Sequence, residues 1–152
     1  MKNIFKVLLA VLILCFSVSS AFAESVETIK QTIIKQSVSM GVDPAIMLSI
    51  AKTESGFRQN AKGASGTVGV FQLLPSTARN MGLDPYKLED NVKGGIIYYQ
   101  SMYKRFGSME LAVAAYNTGP DAIKRCNYTV PNHAKGFVSR IMTDYGYFKK
   151  QI

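Results

Sequence analysis

Helix-stopping residues punctuate this chain at short intervals, and between them apolar side chains return every three or four positions. A chain so written folds as several short helices that bury one another, not as a sheet. Val26, Ile29, Ile33 and Val38 form the first stripe behind Ser25, a candidate N-cap, and Gly41 ends it. Asp43-Pro44 restarts the pattern with a cap and a proline in the first turn, where its missing N–H costs nothing. This second helix carries Ile46, Met47, Ile50 and Ala51 inward and reaches Glu54 near its C-terminal end. Further helices are expected from Pro75 to Gly82, from about Asp90 to Phe106, from Met109 to Tyr116, from Asp121, and across Phe137, Val138, Ile141, Met142 and Tyr145. Ala112, Ala114 and Ala115 allow close helix approach, which places that segment at the centre. Gly56 to Gly69 breaks the periodicity, and within it Val68, Val70 and Phe71 suffice for a short strand or hairpin at most. The expected class is all-α, a bundle of about six to eight helices with one irregular or β-hairpin segment near residues 60–74.

The N-terminus has a different character. Lys2 and Lys6 precede the apolar run Val7 to Phe16, and Ala21-Phe22-Ala23 sets small residues two apart. That order reads as a secretory signal peptide over residues 1–23, leaving residues 24–152 as a single domain. The run is short for a bilayer span, so no stable membrane span is expected after cleavage. Loss of Lys2 and Lys6 lowers the formal net charge from +8 to about +6. A basic exported domain is attracted to envelope polyanions; nucleic acid is not expected, because no recognition motif accompanies the charge. With Cys15 in the leader, Cys126 is left alone and no internal disulfide is available; it is expected as an inert buried thiol. His133 is the single histidine, so neither a zinc set nor a Cys–His nucleophile is evident, and no metal or cofactor is expected.

Chemistry concentrates around Glu54. A carboxyl at the end of a mostly buried helix is desolvated and opposed by the helix dipole, and both effects favour its protonated form. Such a group is a candidate general acid, and the glycine-rich segment with Gln72 resembles the wall of a polymer cleft. Gln72 and Asn117 carry amides suited to sugar hydroxyls and acetamido groups, or to capping irregular backbone. Tyr116 either orients Glu54 through its hydroxyl or fills the core; Phe71 either lines the cleft or packs inside.

Three separated blocks then stand in a familiar order: Ala51-Lys52-Thr53-Glu54-Ser55-Gly56-Phe57, Gly66 to Ala78, and Ala115-Tyr116-Asn117-Thr118-Gly119-Pro120. Together they resemble the soluble lytic transglycosylase domain of the lysozyme-like superfamily, over roughly residues 30–145. The resemblance implies a lysozyme-like fold and cleavage of the β-1,4 bond between N-acetylmuramic acid and N-acetylglucosamine in peptidoglycan. It implies Glu54 as the catalytic acid and base, and Ser55, Phe71, Gln72, Tyr116 and Asn117 as substrate-binding residues. It further implies peptidoglycan glycan strands as partner, a periplasmic location, a monomer, and the specialised members that serve envelope-spanning secretion, conjugation or pilus complexes. A muramidase and a catalytically weak wall-binding module are the alternatives. Two positions depart from the pattern. Gly63 stands where relatives commonly have a serine nine positions after the glutamate, and His133 to Val138 replaces a Glu-Thr-Arg-x-Tyr-Val stretch, with Phe137 lacking the tyrosine hydroxyl.

Overall fold

The computed structural model describes residues 26–152, so the expected leader and the Ser25 cap lie outside the described residues. The helices are α1 (26–39), α2 (Pro44–Ser55), α3 (Pro75–Asn80), α4 (Leu88–Phe106), α5 (Met109–Thr118), α6 (Pro120–Arg125) and α7 (Lys135–Phe148), with a 3₁₀ turn at Asn132–Ala134. The punctuation works as its chemistry requires. The Asp43 carboxylate accepts the Ala45 N–H at 3.0 Å, Pro44 occupies the first turn of α2, and Gly56 closes the helix at φ 62°.

Apolar burial holds the bundle together. Ala112, Val113, Ala114 and Ala115 of α5 are fully buried, against α4 on one side and α6 and α7 on others, which is the central placement expected from its small side chains. Helix α7 packs along α2, and Lys149–Asp43 and Lys52–Asp144, each at 2.6 Å, tie the pair together. Ile46, Met47, Leu48 and Ile50 of α2 are all buried, and complete burial of a side chain of this size contributes about 1.5–3 kcal/mol.

Some expectations are corrected. Val38 is 65% exposed; the inward position one helical turn after Ile33 belongs to Ser37, because the apolar spacing slips by one residue there. Helix α4 begins at Leu88, slightly ahead of the expected start near Asp90. The β content among the described residues is two isolated antiparallel bridges, Lys62 with Val68 and Val68 with Leu73.

The irregular segment is nevertheless well anchored. The fully buried Asn91 of α4 accepts the Phe71 N–H at 2.8 Å and donates to the carbonyls of Val68 at 3.0 Å and Pro85 at 2.9 Å. Gly69 adopts φ 81° directly beside the Asn91 amide, where a Cβ would collide with it. On the same face of α4, Gly95 receives the Phe71 ring and Gly94 the Leu73 side chain, with Leu73 Cδ1 2.7 Å from where a Cβ would stand on Gly94. Removing side chains from α4 is what lets the loop lie flat against it.

Candidate active site

Glu54 sits in the last turn of α2, partly buried, at the edge of a cleft of about 430 Å³. One wall comes from the irregular segment and α3, through Ser65, Thr67, Gln72, Leu74 and Thr77. The other comes from α4 and α5, through Tyr98, Tyr116, Asn117 and Gly119. Burial pushes the Glu54 carboxyl up to about 7, and among the described residues no cationic or hydrogen-bonding neighbour offsets that desolvation. A carboxylic acid so placed holds a proton near neutral pH and can also take one back. Among the described residues it is the single carboxylate lining the cleft. Asp121, a more distant candidate for a second acid, instead faces solvent and pairs with Lys124 at 3.4 Å.

The other expected site residues separate into two groups. Gln72 and Asn117 line the cleft, on opposite walls. The Gln72 amide is anchored: its nitrogen donates to the Gly69 carbonyl at 2.9 Å and to that of Ala61 at 3.4 Å, and its oxygen accepts from the Thr67 hydroxyl at 2.9 Å. Asn117 is exposed at the end of α5, and Gly119 beyond it adopts φ 79° and turns the chain into α6. Tyr116 contributes part of the cleft surface, but its hydroxyl donates to the Phe71 carbonyl at 2.8 Å. Burial, with the Glu54 and Tyr98 charges, keeps that phenol protonated well above its usual range, so the bond persists at any working pH. The hydroxyl therefore spans the two walls instead of orienting Glu54.

Two of the expected residues keep their side chains out of the cleft lining. The Phe71 side chain is fully buried against Gly95, so it belongs to the core and offers only its backbone carbonyl to this region. Ser55 is buried too. Its hydroxyl shares its one proton between the carbonyls of Val70 at 2.9 Å and Ala51 at 3.2 Å and accepts the Arg58 N–H at 3.1 Å, fastening the loop to the end of α2. Neither residue is among those that line the cleft.

Thr67, Tyr98 and Asn91 went unnoticed as site elements in the sequence. Tyr98 lines the cleft and packs edge-on against Tyr116 at 5.1 Å between ring centroids. Asn91 lies on the same stripe of α4 as Gly95, Tyr99 and Met102, and a polar residue on an apolar stripe was the available signal. His133 is exposed, Phe137 packs at the edge of the core, and Cys126 is free and half-buried. No helix among the described residues is long and apolar enough to cross a membrane.

The domain is helical, and among the described residues one desolvated carboxyl lines its cleft, facing amide and hydroxyl groups. The family model described as the transglycosylase SLT domain matches residues 31–136, and the chain belongs to that family. It is 29% identical to a transglycosylase of Enterobacteria phage PRD1, over 59% of this chain and 34% of that protein. It is 30% identical to membrane-bound lytic murein transglycosylase D of Escherichia coli K12, over 61% of this chain and 22% of the relative. The chain thus spans about a third or less of either relative. The fold matches an inactive mutant of the lytic transglycosylase Slt from Pseudomonas aeruginosa with TM-score 0.71 at 20% identity, covering 80% of this chain and 24% of that one. It matches the 70 kDa soluble lytic transglycosylase of Escherichia coli with TM-score 0.68 at 24% identity, covering 78% and 24%.

Proposed function

We propose that this chain is an exported peptidoglycan lytic transglycosylase, cleaving between N-acetylmuramic acid and N-acetylglucosamine to leave 1,6-anhydromuramic ends. The observation that carries the reading is the solitary, desolvated Glu54 carboxyl in a cleft walled by neutral hydrogen-bonding groups. Held near pH 7 in its acid form, Glu54 protonates the glycosidic oxygen as the bond to C1 of the muramic acid breaks, and the N-acetylglucosamine side leaves as an alcohol. The resulting carboxylate then removes the proton from the C6 hydroxyl of the same muramic acid, whose oxygen closes on C1. One carboxyl serves both steps because the nucleophile is already tethered to the reacting sugar. A conventional hydrolase needs a second carboxylate to activate water or to form a covalent intermediate, and the cleft presents none among the described residues.

The 1–23 leader and the basic charge support a periplasmic setting, where the domain acts as a monomer on glycan strands. The setting proposed for it is local opening of the wall for an envelope-spanning secretion, conjugation or pilus complex. Mass spectrometry of muropeptides released from sacculi tests the reaction. Wild-type protein is expected to yield anhydromuramic ends, and Glu54→Gln protein none; reducing muramic ends as the sole product would make the enzyme a muramidase.

A further inference from the structure

We propose that Thr67 is a substrate-binding residue of this cleft, accepting a hydrogen bond from an N–H or O–H of the glycan, and that Gly63 is what makes room for it. The inference rests on the glycan reading above and deepens it. Thr67 is half-buried and lines the same cleft as Glu54. Its hydroxyl proton has a fixed destination. The Gln72 amide nitrogen is spent on the Gly69 and Ala61 carbonyls, so the amide oxygen must face Thr67, and it accepts the hydroxyl proton at 2.9 Å. With its one proton committed, the Thr67 oxygen offers only lone pairs to whatever fills the cleft. Its natural counterpart is a donor, and acetamido N–H and hydroxyl groups are the donors a wall glycan carries.

Gly63 supplies the second, independent observation. A Cβ at this position would collide with Thr67 Oγ1 and stand 2.7 Å from Gln72 Oε1. The space that a side chain at 63 would fill is therefore occupied by the Thr67 hydroxyl, held across the turn by the Gly63 N–H to Thr67 carbonyl bond at 2.8 Å. In this chain the hydroxyl enters the same volume from the opposite limb of the loop, and the two positions are mutually exclusive.

The experiment measures binding of the soluble N-acetylglucosamine hexamer by calorimetry in a Glu54→Gln background, with melting temperature recorded for every variant. Thr67→Val is expected to weaken binding about tenfold, as loss of one ligand hydrogen bond does, and Thr67→Ser to recover it. Gly63→Ala, which expels the hydroxyl, is expected to match Thr67→Val. The pair Gly63→Ser with Thr67→Ala returns a hydroxyl to the same volume and is expected to regain most of the affinity. Unchanged affinity in Thr67→Val overturns the proposal, as does a loss that Thr67→Ser fails to rescue. Undiminished turnover of sacculi by Glu54→Gln protein would instead overturn the reaction proposed above, and the hexamer titration would still report on Thr67.

Discussion

Helix α2 carries a carboxyl at each end, and the two are treated in opposite ways. At the N-terminal end Asp43 is partly buried, which alone would raise its pKa. Hydrogen bonds from Lys149, the Ala45 amide and Tyr145, with the Lys149 charge, outweigh that and hold it below the ordinary value. At the C-terminal end Glu54 is desolvated with nothing to offset the penalty, and it rises to about 7. The comparison separates two uses of the same functional group. A carboxylate given partners holds a fold together; one denied them is kept protonated and available for chemistry.

The sharpest way to break this comparison is to exchange charge for amide at each end. Glu54→Gln is expected to lower turnover of sacculi by about 10²–10⁴-fold, the range that general acid–base catalysis contributes, whereas Asp43→Asn should stay within about twofold at 25 °C. Equal losses in the two variants would erase the distinction between them. A second test reaches Glu54 through the loop that shelters it. Asn91→Ala strands the Phe71 N–H and takes one of two donors from each of the Val68 and Pro85 carbonyls, which keep those of Leu73 and Gln59, and should cost about 1–3 kcal/mol in denaturant melts. As the loop loosens and Glu54 hydrates, the upper limb of the pH–activity profile should move to lower pH.

The smallest effects lie in stability against pH, and their signs differ. For Glu54 the folded-state pKa of about 7 lies above the ordinary 4.5, so its contribution is fully present below about pH 4.5 and is lost as pH rises through 7. Glu54→Gln should therefore melt on the order of 5 °C higher than wild type at pH 8 and equal it at pH 4. For Asp43 the folded-state pKa lies below the ordinary 3.8, so its contribution is present above that value and is lost as pH falls through the depressed one. Asp43→Asn should melt lower than wild type at pH 7, with the gap closing in strong acid. Thermal melts across pH 2–9 would record both trends in one series.

How much of this was legible in the sequence follows the range of the interactions involved. The caps at Asp43-Pro44 and Gly56, the buried stripe of α2 and the place of Glu54 at its end are local, and periodicity with turn chemistry is enough to read them. The separation of Phe71 from Gln72 is not local. Gln72 takes a left-handed backbone at φ 46°, and that kink leaves the ring of Phe71 in the core and the neighbouring amide at the cleft. No alternation rule reports it, because the kink is held by Asn91, Gly94 and Gly95 from a helix that follows in the chain. The role of Ser55 is hidden for the same reason, since its hydroxyl is consumed by the Val70 carbonyl of the docked loop. Asn117 was readable, because the Gly119-Pro120 break necessarily leaves the end of α5 at a surface.

The bond from the Tyr116 hydroxyl to the Phe71 carbonyl gives the groove a fixed gauge. A phenol is a rigid strut of set length, braced at one end in the central helix and at the other in the backbone of the glycine-rich segment. The separation of the two walls is thus set by that strut and not by the conformational freedom of the glycines, which shape the rim. On the proposed function, a sugar chain entering beside Glu54 would meet an aperture already cut to width, and little binding energy would go into closing around it.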